Sequence, residues 1–231
     1  MMNIIFLTIM TIIIYKITKL VSKKWTSPLF HPLIIGPILI IAFIHMVHIS
    51  AVSYVDASKL LTHMLGPATV AFAIPIYKHF NLVKKYIGNI LASVTVGSLA
   101  AISSSLALSM LLHIKPDFII SILPRSITTP IAIEVSKEIG GTPTLTTIFV
   151  IITGISGGII GPFLIKWLSI KTPIARGLAL GMGAHGVGTS KAMEYGEQEA
   201  TFSTLAMIFA AWITLAWASF LIPPLMDFAH I

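Results

Sequence analysis

The chain has 231 residues, of which 56% are hydrophobic and only 10% are charged. A soluble domain carries about a quarter charged residues, so this composition excludes an ordinary soluble enzyme, a disordered chain and a secreted disulfide scaffold. The mean hydropathy of +0.95 indicates a polytopic helical membrane protein. The absence of cysteine excludes disulfides, thiolate catalysis and cysteine-based metal sites. In a membrane chain, the net charge of +7 predicts basic cytoplasmic loops rather than binding to nucleic acid.

The apolar runs predict about six full spans, which in chain order are Met1–Tyr15 with an extension to about Val21, Leu29–Ile49, Leu60–Tyr77, Tyr86–Leu112, Pro143–Lys166 and Phe202–Met226. The first run lacks the leading positive charges and the small-residue cleavage site of a signal peptide, so we expect it to be retained. The third run is interrupted by Gly66, Pro67 and Pro75. The sequence therefore predicts an all-α, multi-pass protein of the cell membrane.

Two further apolar stretches, Phe118–Gly141 and Gly177–Glu199, contain prolines, glycines and charges that an unbroken span does not tolerate easily. We expect each to be a re-entrant segment or a broken helix, and seven or eight crossings stay open. The basic residues constrain the topology, because ten of the fifteen follow the first, third and fifth spans: Lys16, Lys19, Lys23, Lys24, Lys78, Lys84, Lys85, Lys166, Lys171 and Arg176. The positive-inside rule places these loops in the cytoplasm and both termini outside, provided that Phe118–Gly141 returns to its starting side.

The sequence matches itself when it is shifted by 60 residues, which aligns the two interrupted elements. Seven of 21 positions are then identical, and they include the pairs Thr129 with Thr189 and Glu134 with Glu194. Under the predicted topology the two units enter from opposite sides, as in the inverted repeats of secondary transporters. We therefore expect one integral membrane domain, 1–231, in which the spans of 1–112 precede candidate repeat units at 118–166 and 177–226.

The first candidate binding cluster lies in the first interrupted element and consists of Arg125, Ser126, Thr128, Thr129 and Glu134. A charged side chain at membrane depth persists only where it faces a cavity or a partner. A helix that starts near Pro130 would point its positive end into the bilayer, and the guanidinium of Arg125 could hold a carboxylate in a bidentate way. The alternative is a solvated loop in which Arg125 pairs with Glu134 or with a phospholipid headgroup.

The second candidate cluster consists of His185, Gly186, Gly188, Thr189, Lys191 and Glu194. Its glycines fit a G-x-G-x-x-G pattern but not a dinucleotide site, because no strand–helix–strand context precedes them. His185 could relay a proton, and Lys191 could hold substrate charge or pair with Glu194. The alternative is a glycine-rich cytoplasmic loop with a structural histidine. Nearby, the small residues from Gly154 to Gly161 have the spacing that lets another helix approach closely.

Several long motifs resemble the LrgB/CidB family of bacterial membrane proteins. They are Leu-Pro-Arg-Ser-Ile-Thr-Thr-Pro at 123–130, Ile-Glu-Val-Ser at 133–136, Pro-Ile-Ala-Arg-Gly-Leu-Ala-Leu-Gly at 173–181 and His-Gly-Val-Gly-Thr at 185–189. The resemblance implies a holin/antiholin-like protein that works with a small LrgA/CidA-type membrane protein and affects murein hydrolase activity, autolysis and cell death. It also implies transport, since related systems carry pyruvate and a plastidial relative carries glycolate and glycerate.

Two functions follow from these observations. The first is a carrier for small carboxylates such as pyruvate or glycolate, in which Arg125 and the helix ends near Thr129 and Thr189 hold the anion and His185 or Glu134 carries a coupling proton. The second is a holin-like regulator whose Gly154–Gly161 face contacts a partner. An enzyme is not expected, because the sequence lacks Gly-x-Ser-x-Gly and His-Glu-x-x-His motifs. The expected partners are the LrgA/CidA-type protein, the carboxylate and the lipid bilayer, without a metal or other cofactor, and a homo-oligomer stays open.

Overall fold

The structure is a computed structural model that describes residues 2–25, 30, 32–71 and 73–229, and these ranges contain α-helices and no strand. The helices are α1 (Met2–Lys24), α2 (Pro32–Met46), α3 (Ala51–Ala57), α4 (Lys59–His63), α5 (Leu65–Ala71), α6 (Ala73–Lys78), α7 (Phe80–Leu111), α8 (Pro116–Ile122), α9 (Thr129–Glu138), α10 (Pro143–Trp167), α11 (Pro173–Tyr195), α12 (Glu197–Phe220) and α13 (Ile222–Phe228). The all-α prediction is therefore confirmed for the described residues.

The chain divides between Ala71 and Phe72 into two compact units. In the first unit, α1 packs against α2 and α3, and Leu7, Met10 and Ala57 are buried together. Ser50 begins α3 as an N-cap, because its hydroxyl accepts a hydrogen bond from the backbone N–H of Ser53.

Four described helices are long and apolar enough to cross a membrane, namely α1, α7, α10 and α12. A fifth crossing would come from α2 and α3 if these two helices, which meet at a bend of 115°, formed one broken span. Within the predicted third span, Leu60–Tyr77, the described residues do not form one continuous helix, because α4 ends at His63 and α5 begins at Leu65, beside the interruption at Gly66-Pro67. Six full spans stay a prediction; the start of the predicted second span, 26–29, and Phe72 lie outside the described residues.

The second unit is built around α12, which packs against α6, α7, α9, α11 and α13. In its most apolar stretch 61% of residues are buried within the protein, against 33% for α7 and 22% for α10. Phe202 is fully buried, and small residues such as Ala206 and Ala210 let neighbouring helices approach the same helix. The outer surfaces of α7 and α10 keep large apolar side chains exposed, as lipid-facing surfaces do.

The first interrupted element folds back on itself at the turn that joins α8 to α9. Ser121, near the end of α8, and Ser136, in the last turns of α9, both contact the hydroxyl of Thr146 on α10. This hydroxyl donates to the carbonyl oxygen of Ser121 at 2.9 Å and lies 2.7 Å from the hydroxyl of Ser136. Residues 121 and 136 would lie about 22 Å apart along a straight helix, so α8 and α9 form a hairpin whose tip is the turn 123–128.

The second interrupted element also folds back. The helix α11 loses helical geometry at Ala184 and at His185, where φ is 39° and ψ is −122°. The guanidinium carbon of Arg176, near the start of α11, lies 5.6 Å from the ring centre of Tyr195 at its end. A straight helix would separate these residues by about 28 Å, so α11 is a hairpin with its tip at residues 184–185. Both predicted interruptions thus correspond to real breaks in helical structure.

Candidate functional site

Arg125 occupies the tip of the first hairpin. Its Nε donates a hydrogen bond to the hydroxyl of Ser105 on α7 at 2.8 Å, and its Nη1 lies 3.5 Å from the hydroxyl of Thr153 on α10. None of the ion pairs among the described residues includes Arg125, and Glu134 pairs with Lys137 instead. A guanidinium has five N–H donors, so a half-buried positive charge with spare donors remains for an anion.

Two cavities reach Arg125. The first cavity has a volume of about 370 Å³ and is lined by Arg125, by the second half of α10 from Thr153 to Ile165, by Leu168 and Ile170 beyond it, and by α11 residues that include Gly183 and Ala184. The second cavity, of about 460 Å³, lies among the end of α7, α8 and the first half of α10. Its lining also includes Arg125. Both volumes fall in the range of small-molecule sites.

The other residues of the first cluster surround the hairpin tip or lie on the helix that follows it. Ser126 is buried, and Thr128 and Thr129 are half-buried at the start of α9, where Thr128 occupies the N-cap position without a side-chain capping bond. Glu134 points to the exterior, with 67% of its side chain exposed and its carboxylate 2.8 Å from the ammonium of Lys137. Ser126 and Thr128 are sequence neighbours of Arg125 but do not line its two cavities, and Arg125 does not pair with Glu134.

His185 lies at the tip of the second hairpin, where its positive φ is unusual for a residue with a side chain. The ring is buried, its Nε2 lies 3.0 Å from the carbonyl oxygen of Val150 on α10, and its carbon Cε1 packs against Gly154. His185 is not among the residues that line the two cavities beside Arg125. The neighbouring backbone of Gly183 and Ala184 lines the first cavity instead, so the ring anchors the tip to α10.

Gly188 and Thr189 hold the second hairpin closed. A Cβ atom on Gly188 would overlap the carbonyl oxygen of Leu180 on the opposite arm, so this close approach requires glycine. The hydroxyl of Thr189 donates to the carbonyl oxygen of His185 at 3.0 Å and lies 3.0 Å from the hydroxyl of Ser203 on α12. Gly186, half-buried beside the tip, has open space at its Cβ position.

Lys191 and Glu194 pair with each other at the outer part of the second arm, with 2.6 Å between the ammonium and the carboxylate. The Lys191 side chain is 30% exposed and that of Glu194 is 64% exposed. Pairing with Glu194 was one of the two alternatives that the sequence indicated for Lys191. Neither residue lines the cavities beside Arg125.

The row of small residues on α10 accommodates a closely packed helix, as its spacing predicted. A Cβ atom on Gly154 would lie 2.6 Å from the ring of His185, and one on Gly158 would lie 2.7 Å from Val187. The helix in contact is α11 of the same chain. This face is therefore occupied within the second unit, and a partner protein cannot use it in this arrangement.

Sequence reasoning missed several polar residues that the fold brings together. Ser105 and Thr153 bind Arg125, and Ser156 lines both cavities one turn after Thr153. The available signal was the i, i+3 spacing of two hydroxyl residues within an otherwise apolar span. A second missed pair is Arg176 with Glu199, whose charged atoms lie 3.8 Å apart while only 8% of the Glu199 side chain is exposed.

Comparison with known proteins agrees with these motifs. The model of the LrgB-like family matches residues 11–223, which include both hairpins. The chain belongs to the LrgB-like family. A relative from Bacillus subtilis strain 168, the uncharacterized protein YwbG, is 44% identical over 213 residues, covering 92% of this chain and 95% of the relative.

Other LrgB-like relatives carry a more informative name. The holin-like protein CidB of Staphylococcus epidermidis is 35% identical over 222 residues, with 96% of this chain and 95% of the relative covered. The holin-like protein CidB of Staphylococcus aureus strain Mu50 is 34% identical over 218 residues, with 94% and 93% covered. No solved structure matches the chain. The family and the apolar helices together make this chain a membrane protein of the holin-like LrgB/CidB group.

Proposed function

We propose that this LrgB-like protein carries small carboxylates, such as pyruvate or glycolate, across the cell membrane. The observation that carries the proposal is Arg125, a half-buried guanidinium that binds only hydroxyl groups among the described side chains and lines two cavities. An unpaired charge in an apolar region is costly, and a carboxylate ligand would offset that cost. The remaining guanidinium donors can grip a carboxylate in a bidentate way.

The two hairpins supply the architecture of a carrier. Their tips contact the same part of α10, because Arg125 reaches Thr153 and His185 reaches Val150, less than one helical turn earlier. Under the predicted topology they enter from opposite sides and form an inverted repeat, which in secondary transporters surrounds a substrate site near the midplane. Six full spans complete this arrangement, and a separate LrgA/CidA-type protein is its expected partner.

Uptake by purified protein tests the proposal. Proteoliposomes are loaded with buffer and supplied with radiolabelled pyruvate, glycolate or lactate, with and without the LrgA/CidA-type protein of the same organism. Saturable uptake of at least one of these acids supports a carrier. No uptake of any of them by folded protein, in either preparation, would remove the carboxylate proposal.

A second candidate function is a holin-like regulator of murein hydrolase activity and autolysis. The name holin-like protein, which the CidB relatives carry, favours a holin-like role. Arg125→Gln separates the two candidates. If the variant loses uptake while autolysis of the expressing cells is unchanged, regulation does not depend on the anion site. If both are lost, autolysis follows from transport.

A further inference from the structure

The two cavities beside Arg125 overlap at one small group of polar residues. The first and second cavities share Arg125, Thr153 and Ser156 and no other lining residue. Ser105, which lines the second cavity, binds the Nε of Arg125 from α7. These four residues, from three parts of the chain, are called the polar layer below.

The cavities extend from the polar layer toward opposite ends of α10. The first cavity follows α10 to Ile165 and continues to Ile170, beside the basic loop that holds Lys171. The second cavity runs toward Leu112 at the end of α7 and Phe118 at the start of α8. With 25 residues, α10 is about 37 Å long, which is enough to cross the hydrocarbon core once, and a helix that crosses once has its two ends at opposite membrane faces.

We infer that the polar layer is the constriction between two vestibules, the first open toward the cytoplasmic face and the second toward the outer face. Ser105 and Thr153 hold the guanidinium across the passage, so these hydroxyls belong to the substrate site as well as to its closure. An arriving carboxylate would compete with the hydroxyls for the Arg125 donors and loosen the layer. This inference rests on the proposed carrier function for its purpose, but its geometry is tested separately.

The chain lacks cysteine, so a single introduced cysteine is the only thiol in the protein and no native residue has to be replaced first. Ala179→Cys places a thiol in the first cavity and Ser109→Cys places one in the second. A membrane-impermeant maleimide applied to inside-out or right-side-out vesicles should label Ala179→Cys from the cytoplasmic side and Ser109→Cys from the outer side. Labelling of both positions from one and the same side would overturn the inference.

The hydroxyls of the layer are tested in the same assay. In the Ala179→Cys protein, Ser105→Ala with Thr153→Val should raise labelling from the outer side about 10-fold or more, since a hydrogen bond to a charged group contributes about 1.5–3 kcal/mol. The matched control is Ser104→Ala with Thr147→Val, whose hydroxyls bond only to carbonyl groups of their own helices. Equal labelling of the two double variants would refute a closing role for the hydroxyls.

Neither labelling experiment needs a transported substrate. Vesicles that take up no carboxylate but label from opposite sides would refute the carrier and leave the two vestibules standing. Uptake of a carboxylate together with labelling of both positions from the same side would support the carrier and refute the two vestibules. Folding of each variant is checked by its elution as a single peak in detergent, and the Ser104→Ala/Thr147→Val control shows whether losing two hydroxyls from α7 and α10 alone disturbs the protein.

Discussion

Arg176 and Tyr195 stand at the two ends of α11, yet the guanidinium carbon of the first lies 5.6 Å from the ring centre of the second. The interaction closes the base of the second hairpin. It is reinforced by the Nε of Arg176, which donates to the carbonyl oxygen of Ile170 at 2.9 Å. The glycine-rich stretch is therefore neither a span nor an open loop, since both of its ends lie on one side of its tip.

Cross-linking tests this fold-back directly. A short bismaleimide should join the cysteines of the double variant Arg176→Cys/Tyr195→Cys within one chain, as detected by mass spectrometry of the digested protein. The control variant Thr144→Cys/Phe163→Cys has the same sequence separation on the uninterrupted α10 and should not be bridged. An α11 that spans the membrane as a straight helix would give no cross-link in either variant.

The ion pair beside this cation–π contact should contribute to stability. Glu199→Gln removes the partner of Arg176, and we expect a loss of about 1–3 kcal/mol. This is less than a fully buried pair would give, because 31% of the Arg176 side chain is exposed. Thermal unfolding in detergent measures the effect. The control Glu197→Gln breaks the exposed pair with Lys78 and should change the melting temperature little. Equal melting temperatures of the Glu199→Gln and Glu197→Gln proteins would mean that burial of Glu199 does not strengthen its ion pair with Arg176.

Close approach of α11 to α12 makes a second stability prediction. A Cβ atom at Gly181 would overlap the carbonyl oxygen of Ser203, so Gly181→Ala should destabilise the protein by about 1–3 kcal/mol. Gly183→Ala in the same helix meets open space and should stay within about 1 kcal/mol of the wild type. The melting temperatures of both variants provide the measurement, and a Gly181→Ala protein as stable as the wild type would contradict the observed packing.

The anchoring role of His185 predicts a specific pattern of substitutions. Gln extends its amide nitrogen to about the position of the imidazole Nε2 and can donate to the carbonyl oxygen of Val150, whereas Ala cannot donate. His185→Ala should increase amide hydrogen exchange around residues 183–189 and lower uptake, and His185→Gln should retain most of the exchange protection and most of the uptake. If proton-driven uptake is lost equally in the two variants while exchange is unchanged in His185→Gln, the imidazole acts as a proton carrier instead.

The sequence predicted where the helices break but not how the broken segments fold. Pro124 and Pro130 remove backbone donors, and the glycines around His185 lower helix propensity, so both interruptions were visible as local chemistry. The return of each segment depends on contacts between distant residues, such as Thr146 with Ser121 and Ser136. No local pattern encodes those contacts.

The candidate site was predicted only in part, because some of its residues meet through contacts that are distant in the sequence. Arg125 was recognisable because a charge in an apolar stretch needs a partner, whereas Ser105 and Thr153 became its neighbours only through the packing of α7 and α10 around the hairpin tip. Arg176 was interpreted as a marker of the cytoplasmic side, and its contact with Glu199 was hidden by their separation in sequence. Glu134, which the alternative solvated-loop interpretation offered as a partner of Arg125, pairs instead with Lys137, one helical turn away.

Binding of the carboxylate by Arg125 is tested most directly by the uptake of radiolabelled pyruvate into proteoliposomes that contain Arg125 variants. Arg125→Gln should reduce uptake at subsaturating pyruvate by about 10- to 100-fold, in line with about 1.5–3 kcal/mol for a charge-assisted hydrogen bond. Arg125→Lys should retain part of it, because lysine keeps the charge without the bidentate geometry. Lys137→Gln, which removes an exposed cation from the adjacent helix, should leave uptake unchanged. Wild-type uptake in the Arg125→Gln protein would contradict the account.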